Sequence, residues 1–175
     1  MPELIQEFEY SVDLAGVDTV GPGPFGQRLI TDVTGGQFTG NRLKGTIVRP
    51  GADWLLVGPD GFGRLDTRVT VKTVDGALIY VQYFGLVEMT PAIMAILGGG
   101  DTPTDFGAQY FFIDPRLETG DARYSWVNQT VFIGQGRVLP GPRVEYRVYR
   151  LANSCPVPSS PDHPAPPHPG SPHSP

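Results

Sequence analysis

The chain reads as an all-β protein, an antiparallel barrel or sandwich, on three observations. Its apolar residues recur with period 2 rather than 3.6. Turn residues are abundant, with 23 glycines and 19 prolines in 175 residues, and they fall at short intervals. Helix start and stop signals coincide clearly in one segment, Thr90–Gly100.

The elements follow in order. Phe8, Tyr10 and Val12 alternate with Glu9 and Ser11, which marks a strand with one buried and one wet face. Turn chemistry sits at 34–36 (TGG), 49–51 (RPG), 59–61 (PDG) and 74–76 (VDG). Between the last two, Val69 and Val71 oppose Arg68, Thr70 and Lys72. The aromatic run Leu78–Gly85 follows. In TPAIMAILGGG (90–100), Thr90 is placed to cap a helix, Pro91 stands at its first position and Gly98 at its end. That helix is short and apolar nearly all round, so it must bury; at the open end of a barrel it would act as a lid or a plug. Further turns fall at 118–121 (ETGD) and 139–142 (LPGP), and Val144, Tyr146 and Val148 oppose Arg143, Glu145 and Arg147 in a last strand. The spacing predicts seven to nine strands.

From Cys155 onward the composition changes. CPVPSSPDHPAPPHPGSPHSP holds almost no large apolar side chains and cannot offset the entropy of ordering. Residues 1–152 are expected to form one barrel domain, and 153–175 a disordered Pro/His-rich tail of polyproline character. The net charge is −5, and the 13 lysines and arginines are scattered without a run, so no nucleic-acid groove is expected. No apolar stretch reaches the length of a membrane span. The amino-terminal MPELIQEFEY is acidic and unlike a signal peptide, and a single cysteine allows no internal disulfide; the expected location is the cytoplasm. Self-association stays open.

Asp32, Asp53, Asp60, Asp66 and Asp75 lie close together among strand signals. Asp60-Gly61 and Asp75-Gly76 sit between apolar runs, where Asp-Gly favours a tight hairpin. Asp66 and Arg68 share a strand face and form an exposed pair. Asp53 fits neither explanation. Alternation places it with Leu55 and Val57 on one face, and Trp54 with Leu56 on the other; both faces are apolar. A carboxyl buried in such a strand has a raised pKa unless it is paired, and it could serve as a general acid or base. It could equally accept backbone N–H bonds and hold a turn.

ARYSWVNQTVFIGQGR (122–137) is read as a strand with Tyr124, Trp126, Asn128, Thr130 and Phe132 on one aromatic face. An amide there needs a partner, and aromatic walls with a few polar groups describe a small-molecule pocket as well as an ordinary core. Tyr80, Tyr83, Tyr110 and Tyr124 could offer phenolic protons to such a cavity. His163, His168, His173 and Cys155 all lie in the tail, so Ser-His-Asp, Cys-His and His- or Cys-based metal sites are excluded from the folded part. No metal or cofactor is expected.

Three stretches, TGGQFTGNRLKGTIVRPGADW, DGFGRLDTRVTVKTVDGALIYVQYFG and ETGDARYSWVNQTVFIGQGR, resemble in order the signatures of domain of unknown function 3237. The resemblance spans roughly residues 5–151. It implies a calycin-type, lipocalin-like β-barrel, and the family motif residues include Asp53, Trp54, Arg68, Tyr124, Trp126 and Asn128.

A closed barrel of about eight strands has room for one small ligand. Two functions are open. The first is a cofactor-free isomerase, cyclase or lyase acting on a small aromatic or apolar carbonyl compound. Asp53 would move a proton and Asn128 with Tyr80 or Tyr124 would stabilise developing charge, while Trp54, Arg68, Phe111 and Trp126 would hold the substrate. The second is a carrier or sensor that binds in the same pocket without turnover. A desolvated Asp53 favours the first.

Overall fold

The computed structural model describes residues 1–153; the tail expectation for 154–175 lies outside the described residues. Asn153 is not part of a tail: it ends the last strand, paired with Pro2.

The described residues form nine strands, one α-helix and one 3-10 helix. The strands are β1 (Pro2–Gly23), β2 (Gly26–Gly40), β3 (Lys44–Val57), β4 (Phe62–Thr73), β5 (Leu78–Glu88), β6 (Phe111–Ile113), β7 (Arg116–Glu118), β8 (Phe132–Leu139) and β9 (Arg143–Asn153). Helix α1 spans Pro91–Leu97 and the 3-10 helix Ala122–Gln129. Every pairing is antiparallel. The order β4-β3-β2-β1-β9-β8-β6-β5, with β5 returning to β4, closes a barrel of calycin type, and β7 pairs only with β5. Closure leaves the ring no free edge.

The period-2 residues line the inside. Phe8, Tyr10, Val12, Val69, Val71, Ile79, Val81, Tyr83, Tyr146 and Val148 are all buried. The hairpins at 59–61 and 74–76 form as expected, with Gly61 and Gly76 at φ +78° and +91°.

Two expected turns are corrected. TGG (34–36) and RPG (49–51) lie within continuous strands, β2 and β3, where the register slips between Asp32 and Gln37 and between Val48 and Ala52. Strands this long must bend sharply to follow the ring, and bulges supply the bend. Gly36 shows why glycine is required there: its φ is +146°, and a Cβ would meet the Ser11 carbonyl oxygen at 2.0 Å.

Short helices close both ends. Thr90 caps α1 by accepting a hydrogen bond from the Ile93 amide, Pro91 opens it and Gly98 ends it. Ile93 and Ile96 bury at the end of the barrel where β1 passes Leu14. The other end is covered by the 3-10 helix, which buries Tyr124 and Val127. This overturns the strand expected over 122–137 for its first part; only 132–137 lies in a strand, β8. Asp121 accepts from the Arg123 amide and starts a helical turn, and no neighbouring strand offers this segment a ladder.

Candidate functional site

The register places four polar residues in one row across β2 to β5. Thr31 pairs with Asp53, Asp53 with Thr67, and Thr67 with Tyr83. Asp53, Thr67 and Tyr83 are buried, at 8%, 0% and 2% exposure, inside an otherwise apolar barrel.

Asp53 lines a cavity of about 120 Å³ at the α1 end. Leu14, Leu29, Leu55, Leu65, Phe111 and Val144 form much of its wall, and Ile93 and Leu97 of α1 cover it. Its other polar side chains are Thr31 and Arg143, and Arg143 is held at the rim by Asp13 at 2.6 Å. A larger groove of about 430 Å³ on the outside, between β1 and β9, is lined mainly by charged and polar side chains, and Asp53 takes no part in it.

The Asp53 carboxyl is held asymmetrically. Oδ1 accepts from the Thr67 hydroxyl at 2.9 Å and from the Asp66 amide at 3.2 Å. Oδ2 accepts no hydrogen bond among the described residues, and no ion pair reaches the group. Desolvation is the main force on its titration and pushes its pKa up to about 6. The Thr67 and Asp66 hydrogen bonds pull down, the Asp66 charge pushes up, and Arg28 pulls down weakly. Arg28 itself donates to the Trp54 carbonyl at 2.6 Å. At neutral pH the carboxyl is largely ionised, with an acid form of order one in ten.

Behind Asp53 stands a cluster of three buried tyrosines, Tyr10, Tyr83 and Tyr146. Tyr10 stacks on Tyr146 with ring centroids 5.5 Å apart, and Tyr83 meets Tyr146 edge-on at 5.6 Å. Burial first, and the nearby Asp53 charge second, push the Tyr83 phenol up to about 12. All three phenols stay protonated and available as donors near neutrality.

The residues expected to share one pocket are only partly brought together. Asp53 and Phe111 line the cavity. Asn128 does not. Its amide bonds to the Thr119 backbone in both directions, each at 2.9 Å, and fastens the 3-10 helix to the strand end. Thr119 in turn bonds the Leu78 carbonyl, five residues along β5 from Tyr83, so Asn128 lies roughly 16 Å down the barrel from the Asp53 row. Tyr80 is on the outer face of β5, 40% exposed, because alternation turns Tyr83 and not Tyr80 inward. Tyr80 and Asn128 border a shallow outer groove. Tyr124 donates to Asp75 at 2.9 Å and so anchors the 3-10 helix to the β4–β5 hairpin. Trp54 projects away from Asp53, under the Arg68 guanidinium at 5.3 Å, and Arg68 pairs with Asp66. Trp126 lies beneath Arg42 at 3.8 Å, at the far end. Each of these residues follows from strand alternation or from the helical turn at 122–129. Accordingly, Asn128→Ala should lower stability by about 1–2 kcal/mol through lost backbone hydrogen bonds while leaving the Asp53 titration unchanged; denaturant melts and carboxyl NMR check both.

Thr67 and Thr31 were not singled out from the sequence. Thr67 had a visible signal: it interrupts the inward face Leu65, Val69, Val71 of β4 with a hydroxyl, and such a group needs a partner.

The site is thus an apolar cavity over one buried carboxyl, inside a closed β-barrel, with no cation in contact with that carboxyl among the described residues. The chain belongs to the family "Protein of unknown function (DUF3237)", whose model matches residues 2–151. It is 30% identical over 127 residues to a UPF0311 protein of Rhodopseudomonas palustris, covering 73% of this chain and 82% of that one. A beta-barrel like protein from Acinetobacter baumannii superposes with a TM-score of 0.73 at 36% identity, over 87% of this chain and 97% of that one. PR-toxin biosynthesis cluster protein 7 of Penicillium roqueforti is 24% identical over 157 residues, 79% of this chain and 84% of that protein. An enzyme from Penicillium herquei shares the fold, with a TM-score of 0.60 at 21% identity over 86% and 95% of the two chains. No helix among the described residues is long and apolar enough to cross a membrane.

Proposed function

We propose that the protein is a cofactor-independent acid/base enzyme that moves a proton on a small, largely apolar carbonyl compound bound in the cavity under α1. The observation that carries this reading is the Asp53 carboxyl: buried among apolar side chains, without a cation, with Oδ1 anchored and Oδ2 unengaged. Burial without a cation pushes its pKa up to about 6, near the pH at which a base and its conjugate acid are both useful. In the reaction Oδ2 takes a proton from the carbon between the carbonyl and a neighbouring C=C. The C–H electron pair forms a new C=C bond as the C=O π pair moves onto oxygen. When the carbonyl re-forms, the same proton is returned at the far carbon of the original double bond, which has shifted into conjugation. No co-reactant is consumed. Thr31, across from Asp53, and Arg143 at the rim stand within the site as donors for the developing oxyanion. The similarity to a biosynthesis cluster protein supports a place in small-molecule metabolism.

The cavity as it stands is smaller than sites that enclose drug-sized ligands, so larger substrates enter only if α1 moves. The triplet Gly98–Gly100 after α1 provides a joint. Hydrogen exchange should show amides 93–97 gaining protection when the ligand that co-purifies from the native host is present. Protection that is already high and stays unchanged would make α1 a fixed plug. Turnover of that ligand by wild type but not by Asp53→Asn is the result expected of an enzyme; tight binding by both with turnover by neither would make the protein a carrier.

A further inference from the structure

We propose that Thr67 and Tyr83 are positioning residues for Asp53: a chain of hydroxyls, Tyr146 to Tyr83 to Thr67, fixes Oδ1 and leaves Oδ2 as the one oxygen that exchanges a proton with the substrate. This rests on the proton-transfer reading of Asp53 and assigns the groups that set its behaviour.

The chain is built from strand pairing. Asp53, Thr67 and Tyr83 are direct neighbours across β3, β4 and β5, all facing inward. Tyr146 pairs with Tyr10 across β9 and β1 and faces Tyr83 across the lumen. The Tyr83 hydroxyl lies within reach of the Thr67, Tyr146 and Tyr10 hydroxyls, which all act on its titration; the proposed chain runs through the first two. The direction of the bonds follows from proton counting. An ionised carboxylate only accepts, so the single Thr67 proton points at Asp53 Oδ1. The Thr67–Tyr83 bond must then use the Tyr83 proton, and the Tyr83–Tyr146 bond the Tyr146 proton. Every donor in the row is committed toward Asp53.

Tyr10 supplies the second observation. Its hydroxyl is fully buried and interacts with Tyr83 without completing a well-aligned hydrogen bond. An unsatisfied buried hydroxyl is costly and calls for an explanation. In this arrangement Tyr10 is the loose end of the chain. When Oδ1 is relieved of negative charge by protonation, the donors are free to turn, and the Tyr10 oxygen is the spare acceptor inside the cluster.

The charged and titratable groups around Asp53 are few. Asp66 on β4 pairs outward with Arg68, Arg28 on β2 bonds a backbone carbonyl, Arg143 on β9 is held by Asp13, and the three phenols come from β1, β5 and β9. None is a cation in contact with the carboxyl. The hydroxyl chain and the Asp66 amide are therefore the protein groups that hold the ionised form.

The test is the titration of the Asp53 carboxyl carbon by NMR in the full-length protein carrying labelled aspartate, assigned with Asp53→Asn. Thr67→Val removes the donor and should move the midpoint from about 6 to about 7. Thr67→Ser keeps the donor and should stay near wild type. Tyr83→Phe keeps the ring but frees the Thr67 hydroxyl to rotate, and should move the midpoint up by a smaller amount. A Tyr83→Phe midpoint equal to wild type would overturn the chain and leave Tyr83 a packing residue; an unmoved Thr67→Val midpoint would overturn the role of Thr67. If Thr67→Val fails to fold, the Tyr83→Phe result decides alone. The two claims fail separately. Midpoints that shift as stated while turnover is indifferent to Asp53→Asn would sink the enzyme reading and keep the chain; turnover that needs Asp53 with unmoved midpoints would do the reverse.

Discussion

Asp53→Asn should abolish turnover, by about 100-fold or more, and at pH 8 should make the folded protein more stable. The two effects have one cause. In the wild type an ionised carboxylate is held in apolar surroundings, a cost that the uncharged amide does not carry. The folded-state pKa of about 6 lies above the value of about 4 for an unfolded aspartate. Between these values the native protein holds a proton that the unfolded chain has released. Stability from this group is therefore full below about pH 4, falls as pH rises to about 6, and is flat above. The difference is roughly 2–3 kcal/mol. Asp53→Asn should remove that slope, gaining roughly 1–3 kcal/mol at pH 8 and little at pH 4.5. Denaturant melts at the two pH values check it. Asp60 and Asp121 act in the opposite sense, since Arg64 and Arg123 hold their exposed carboxyls down at about 2. Their contribution is present above pH 4 and lost as acid approaches pH 2, so it does not obscure the window of Asp53. A variant that unfolds at every pH, with turnover per folded molecule preserved, would make Asp53 a turn-holding residue.

Phe38→Ala should give the largest loss of stability among single core truncations near the site, roughly 3–5 kcal/mol, with a melting temperature lower by about 10 °C or more. Phe38 is 2% exposed, and its ring lies 4.1 Å from that of Tyr10 and 5.2 Å from that of Phe8. Its removal takes the support from the Tyr10 side of the phenol cluster while leaving the Asp53 cavity wall in place. Calorimetry reads the loss. A fall of less than about 1 kcal/mol would mean that the aromatic floor is not close-packed.

Where the sequence could be read, one physical rule carried the reading. Alternation placed Phe8, Tyr10, Val12, Val69, Val71, Tyr146 and Val148 correctly, because a closed barrel has one inside and every strand must obey it. The α1 caps were legible because capping is local. Asp53 stood out because its neighbours offered no turn or charge pair to explain it. The misreadings have equally definite causes. Alternation was extended into 122–131, where Asp121 starts a helical turn instead, and that moved Tyr124, Trp126 and Asn128 onto a face they do not share. Tyr80 was preferred to Tyr83 although the same rule, counted from Ile79 and Val81, turns Tyr83 inward. TGG and RPG looked like turns because glycine serves bulges as well as turns, and only the partner strand decides which. The Asp53–Thr67–Tyr83 row depends on register between strands, which no local pattern contains.

The most direct test of the central claim is the midpoint of the Asp53 carboxyl in the wild-type protein, followed by carbon NMR from pH 3 to pH 9. A desolvated, cation-free carboxyl poised for proton transfer predicts a midpoint at about 6; a midpoint at or below about 4, the value of a solvated or firmly hydrogen-bonded aspartate, would contradict the account.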